Sequence, residues 1–230
     1  MRSPTHERPP LTPGERAFYG FFLAIVVGLF AAEIVHDYKP VKLAALLFVL
    51  FWGPLLALHE TGHAVVAALV GWRVGRVVIG VGRLVAKFKV GEALVEIRLL
   101  PLEGFVQPVP RNLRRPRLKS ALIYFAGPGS ELLLLLIVAL GVGPATMLTE
   151  TEHFGILAAQ SLCVAVLFSA FCNLVPHAVV MPGGTVANDG LGIIRSFTVP
   201  ESHFAELVGM KFDAGEEEWQ EPEGADWWKG

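Results

Sequence analysis

Four long apolar runs, separated by polar segments, set the organisation of this chain. The first runs from Ala17 to Val35, with Glu33 near its end. The second runs from Leu43 to Trp72 and is broken only by the polar cluster His59–His63. The third, Ser120 to Thr149, carries Glu131 inside it, and the fourth, Phe154 to Pro176, has no formal charge. A helix needs roughly 20 mainly apolar residues to cross a bilayer. The pattern therefore predicts an α-helical polytopic membrane protein with about four transmembrane helices, over about 17–35, 43–72, 120–149 and 154–176. Between the second and third runs the period changes. Val77-Val78-Ile79, Leu84–Val90 and Ala93–Arg98 read as short strands, with a tight turn at Gly91-Glu92, so residues 73–110 form a small β-rich insertion. Residues 1–16, with Pro4, Pro9, Pro10 and Pro13, read as a flexible arm. The membrane-embedded domain then covers 17–199. Residues 200–230 read as an acidic, disordered tail carrying Trp219, Trp227 and Trp228. No small-x-small cleavage site follows the first run, so it is expected to stay as a helix.

Composition supports this division. Hydrophobic residues make up 53% of the 230 residues and charged residues 17%. That is too few charges to cover the surface of a soluble enzyme. A net charge of −2 gives no global basic field, which argues against nucleic acid as a partner. Cys163 and Cys172 lie nine apart in one apolar run, so neither a disulfide framework nor a cysteine zinc cluster is available. The segment 73–119 holds 11 Lys/Arg against three acids, whereas the loops on the other side hold only Lys39 and Lys42. Positive residues favour the cytoplasmic side, so both termini and the β-rich insertion are expected there. The cluster Arg111–Lys119 is then an anchor to anionic lipid.

The polar break in the second run is His59-Glu60-Thr61-Gly62-His63, an H-E-x-x-H pattern. Residues four apart share one helix face, so both imidazoles reach one metal ion with Glu60 beside them. A zinc ion held this way takes a third protein ligand and leaves one position open. It lowers the pKa of bound water towards about 7, and a glutamate takes the proton during attack on a carbonyl. Titratable groups inside a membrane cost several kcal/mol, and a metal offsets that cost. The third ligand must come from elsewhere, with Glu33, His36, Glu131, His177 and Asp189 as candidates. His63 and His59 lie roughly 14 and 20 Å from the Trp72 end of their run, at about 1.5 Å per residue. Glu33 and His36 sit at the opposite end of the first run and are at the wrong depth. His177 and Asp189 follow the fourth run and are on the correct side.

At these residues the chain resembles the site-2 protease family of intramembrane zinc metalloproteases. The resemblance runs from about Leu43 to Phe197. It is carried by His59-Glu60-Thr61-Gly62-His63, by Leu100-Pro101-Leu102-Glu103-Gly104-Phe105-Val106, by Phe125-Ala126-Gly127-Pro128, and by Asn173-Leu174-Val175-Pro176 followed by Asp189-Gly190. It implies His59, His63 and Asp189 as ligands of one Zn2+ per chain. Glu60 would be general base and then proton donor, and Asn173 would hold the substrate or the developing oxyanion. It also implies hydrolysis of peptide bonds in or next to transmembrane segments. One spacing and two positions depart from the family pattern. Asn173 and Asp189 are 16 apart, Glu103 stands where glycine is frequent, and Glu131 stands where asparagine is frequent.

The expected partners are a membrane-protein substrate, the lipid bilayer and a regulatory membrane protein. Water must reach the metal, so a polar route from the cytoplasm is required. An edge strand of the insertion could hold an extended substrate by β-augmentation. The competing reading is a metal-stabilised scaffold that binds membrane segments without cutting them, which needs the ligands but not Glu60. A zinc transporter would call for polar residues along Leu43–Leu58, where there are none.

Overall fold

The protein is described here by a computed structural model covering residues 13–36, 39–181 and 184–208. Helix α1 spans Pro13–His36, and a single 3-10 turn at Pro40–Lys42 leads into α2, Leu43–Leu69. Strands β1 (Arg73–Val90) and β2 (Ala93–Val109) follow, then α3 (Pro116–Val142) and α4 (Phe154–Leu174). A short hairpin, β3 (Ala178–Met181) and β4 (Gly184–Ala187), precedes α5 (Asp189–Thr198) and α6 (Glu201–Val208).

Local chemistry marks the helix ends. Gly71, at φ +82°, closes α2, where the Trp72 N–H bonds to the Ala67 carbonyl at 2.9 Å. Pro116 opens α3, where its missing N–H costs nothing. Among the described residues, three helical stretches are long and apolar enough to cross a membrane: Pro40–Leu69, Pro116–Val142 and Phe154–Leu174. By that measure the expected count of about four spans stands at three. The first expected span lies within α1, which begins at Pro13 and so takes in the last four residues of the expected arm. Its far end is tied to the next turn by an ion pair of 2.6 Å between Glu33 and Lys42.

Two elements correct the sequence reading. The expected short strands are two long ones, joined at the expected Gly91-Glu92 turn. Register shifts bend the hairpin back on itself. Residues 76–79 pair with 104–107 in antiparallel register and also lie alongside 94–97, which pairs in turn with 86–89. Gly80, at φ +92°, permits the bend: a Cβ there would meet the Leu100 and Arg98 carbonyl oxygens at 2.8 and 2.9 Å. Within the sheet the buried Glu96 is clasped by Arg76 at 2.7 Å and Arg98 at 2.9 Å. Burial alone would push its carboxyl up, but the two guanidinium hydrogen bonds outweigh this and hold it below the usual range.

The second correction concerns the tail. Residues 201–208 form α6 rather than a disordered chain, because Phe204 is buried against Trp72, Ala67 and Ile123. The Trp72 and Phe204 rings meet edge to face, centroids 6.3 Å apart. The acidic remainder with its three tryptophans lies outside the described residues. A second core cluster, Leu55, Ala165 and Val166, joins α2 to α4.

Truncating this contact tests the role of α6. Phe204→Ala should cost about 3 kcal/mol of local stability. Limited proteolysis in detergent should then cut after Pro200 much faster than in wild type, while helical circular dichroism of the bundle is retained.

Candidate metal centre

Helix α2 carries His59 and His63 one turn apart, both buried and facing α3. Their Nε2 atoms are 3.0 Å apart, and the rings meet at 78°. Asp189, the first residue of α5, closes the set: Oδ2 lies 2.9 Å from His59 Nε2 and Oδ1 3.4 Å from His63 Nε2. Among the described residues these three form the group able to hold a metal ion, with one ligand atom each and all within 4.8 Å of one another.

The donor set fits zinc. Two imidazole nitrogens and one carboxylate oxygen are a catalytic three-ligand combination. Tetrahedral ligands at about 2.0–2.1 Å from an ion stand roughly 3.3–3.4 Å from one another, close to the spacings found. His63 Nδ1 is 2.6 Å from the Ile123 carbonyl, which accepts its proton and leaves the Nε2 lone pair for an ion. His59 Nδ1 lies 3.2 Å from Glu131 Oε1.

The Ala-Gly-Pro motif of α3 makes the space. A Cβ on Gly127 would collide with Nε2 of His63 and stand 2.6 Å from Nε2 of His59. The missing side chain is thus the room an ion needs. Gly62 does the reciprocal work on α2, where a Cβ would lie 2.6 Å from the Ala126 carbonyl oxygen. Pro128 has no N–H for the Tyr124 carbonyl, so the α3 ladder is interrupted one residue beyond Ile123.

Glu60 is buried beside this cluster, against β2. A Cβ on Gly104 would lie 2.6 Å from Glu60 Oε1, so the strand backbone runs directly over the carboxylate. Glu103, the neighbouring departure from the family pattern, is exposed. Pro101 of the same strand lies against Gly53, earlier on α2.

The remaining candidates separate clearly. Glu33 pairs with Lys42, and His36 is exposed on α1. His177 Nδ1 is 2.9 Å from the Val175 carbonyl, and His177 is not one of the three residues of the ligand group. Asn173, on the last turn of α4, lies with Nδ2 3.4 Å from Ser169 Oγ. The 16-residue separation between Asn173 and Asp189 is absorbed by the β3–β4 hairpin, in which Ala178 pairs with Ala187.

Asn188 was not singled out in the sequence, yet it sets the position of Asp189. Its Oδ1 accepts the Leu191 N–H at 3.1 Å, capping α5, and the His177 N–H at 3.0 Å. Its Nδ2 donates to the carbonyls of Val175 at 2.7 Å and Asn173 at 2.9 Å. The signal was available, since asparagine just before Asp-Gly at a helix start is a preferred N-cap. Gly190 completes the approach, because a Cβ there would overlap the Leu174 carbonyl.

Two histidines and an aspartate thus converge beside a glutamate, with the histidines and the glutamate on a helix of membrane-crossing length and the aspartate at the start of the short α5. The chain belongs to peptidase family M50, whose family model matches residues 47–166, just over half of the chain. This agrees with its resemblance to the site-2 proteases. The zinc metalloprotease RasP of Bacillus licheniformis is 40% identical over 60 residues, 26% of this chain and 14% of that protein. RasP of Geobacillus kaustophilus is 34% identical over 92 residues, 38% of this chain and 22% of that protein. The matched stretches are thus under a quarter of these relatives' length. Asn173 and Asp189 fall beyond the family match, so their placement rests on the geometry above.

Filling the space at Gly127 should remove the metal. Gly127→Ala is expected to lower bound zinc from one per chain to well below one tenth, measured by elemental analysis of the purified protein. Gly129 faces the Phe125 ring instead of the ligands, so the control Gly129→Ala should keep its zinc.

Proposed function

We propose that this protein is a zinc-dependent intramembrane endopeptidase, which hydrolyses peptide bonds in or next to transmembrane segments of membrane proteins. The observation that carries this reading is the convergence of His59, His63 and Asp189 within 4.8 Å, with Glu60 buried alongside. In it α1 is a fourth span, and both termini and the β1–β2 sheet lie on the cytoplasmic side. The basic segment 111–119 anchors the start of α3 at anionic lipid.

His59, His63 and Asp189 hold the ion. Zinc, when bound, supplies a Lewis acid that polarises the scissile carbonyl and favours deprotonation of water. Glu60 takes a proton from the attacking water as the new C–O bond forms. It then delivers that proton to the amide nitrogen as the C–N bond breaks, so one water is consumed per bond cut. Asn173 holds the substrate or the developing oxyanion. The substrate unwinds and lies along residues 104–107 of β2, which pair on one side with 76–79 and, among the described residues, with no strand on the other. Phe105 within this stretch and Leu99, Leu100 and Leu102 before it are exposed and suit an apolar segment.

Removing the base should separate catalysis from metal binding. Glu60→Gln is expected to lower cleavage of single-span substrate proteins by at least about 100-fold with zinc content unchanged, whereas Asp189→Ala should lose both. Full zinc in Asp189→Ala would refute the ligand assignment. A Glu60→Gln protein with undiminished effect in cells would favour the scaffold reading.

A further inference from the structure

Glu131 carries the one formal charge of α3 beyond its basic first turn, and it is wholly buried. Among the described residues it is the largest of the fully buried side chains. Packing alone would favour leucine there, since a carboxylate inside a membrane span is costly. Its contacts are specific. Two donors from two helices converge on one oxygen: His59 Nδ1 of α2 at 3.2 Å and Ser169 Oγ of α4 at 2.8 Å, both to Oε1. Glu131 Oε2 is buried without a hydrogen-bond partner among the described residues. A half-satisfied buried carboxylate is a poor structural element, so its benefit must lie elsewhere.

The His59 ring lies between Glu131 and the ligand point. Its Nδ1 faces Glu131, and its Nε2 faces Asp189 and His63. Accepting the Nδ1 proton leaves the Nε2 lone pair directed at the ion and fixes the rotation of the ring. His63 gets the same service from a backbone carbonyl, which comes with the helix. His59 depends for it on a side chain.

We propose that Glu131 is the positioning residue of the metal centre: it fixes the tautomer and orientation of His59, and Ser169 in turn fixes Glu131. Ser169 Oγ also lies 3.4 Å from Asn173 Nδ2, so the relay joins the ligand to the residue assigned to the substrate. Asparagine, frequent here in the family, is one methylene shorter and supplies no carboxylate. This inference rests on the zinc reading above.

The test is zinc affinity, measured by chelator competition on the full chain in detergent, alongside thermal unfolding of the metal-free protein. Glu131→Leu should weaken zinc by about 10- to 100-fold, the range typical of such outer partners, with metal-free melting within a few degrees of wild type. Glu131→Gln, which keeps an acceptor, should recover most of the loss. Ser169→Ala should weaken zinc several-fold without touching either histidine. With cobalt in place of zinc, Glu131→Leu should also change the visible absorption spectrum. Zinc affinity of Glu131→Leu within about threefold of wild type would overturn the proposal while leaving the protease reading intact. A wild-type protein that binds no zinc would overturn both. If Glu131→Leu does not fold, Ser169→Ala decides: wild-type zinc affinity in that variant overturns the proposal.

Discussion

Everything in this fold answers to one electrostatic constraint: lone pairs from two imidazoles and a carboxylate converge on a single point inside an apolar bundle. Left bare, that arrangement is unfavourable. Nitrogens 3.0 Å apart repel unless a proton or a cation lies between them. Charged groups within a membrane add several kcal/mol each by insertion scales. A divalent ion turns the same geometry into a favourable one, so binding and folding are linked. The rest of the structure keeps the three ligands from relaxing apart.

Small residues and backbone groups do most of that holding. Gly62 and Gly127 let α2 and α3 approach closely, and the Ile123 carbonyl fixes His63. On the opposite side α5 is drawn in by Asn188, which ties its first turn to the end of α4, and by Gly190 against Leu174. Further along, Gly192 packs on the Tyr124 ring and Ser196 bonds Ser120 at 2.8 Å, so α5 lies along α3. The aspartate is therefore brought to the histidines by a short helix held on both flanks. A mobile loop could not keep its carboxylate within bonding distance of two imidazoles.

The histidine pair and the glutamate were legible in the sequence because helical period places residues four apart on one face, and an apolar run of that length leaves little but a helix. Asp189 was legible only through the order of motifs, since spacing alone left Glu131 and His177 in contention. Charge and depth leave Glu131 in the right region, and only the structure shows that it touches the far side of the His59 ring. The β1–β2 hairpin was seen as fragments because Gly80 and Gly82 break the alternation, although they are where the strand bends. Helix α6 was hidden by its acidic neighbours. One aromatic, Phe204, fixes it, and its partner Trp72 is distant in sequence.

The position of β2 joins the metal centre to the problem of substrate. A helical segment hides its peptide bonds in its own hydrogen-bond ladder, so cleavage requires that some of the ladder open. In hydrocarbon each opened donor or acceptor costs several kcal/mol unless another partner takes it. A strand edge supplies such partners in a row. Here the edge formed by residues 104–107 begins at the glycine whose backbone lies over Glu60, and exposed leucines flank it. In the proposed reaction, opening a segment along that edge would exchange helical hydrogen bonds for intermolecular ones and bring the extended backbone next to the carboxylate. The same glycine that permits the close approach also limits it. Any side chain at residue 104 would displace Glu60, so the strand and the base have to be positioned together.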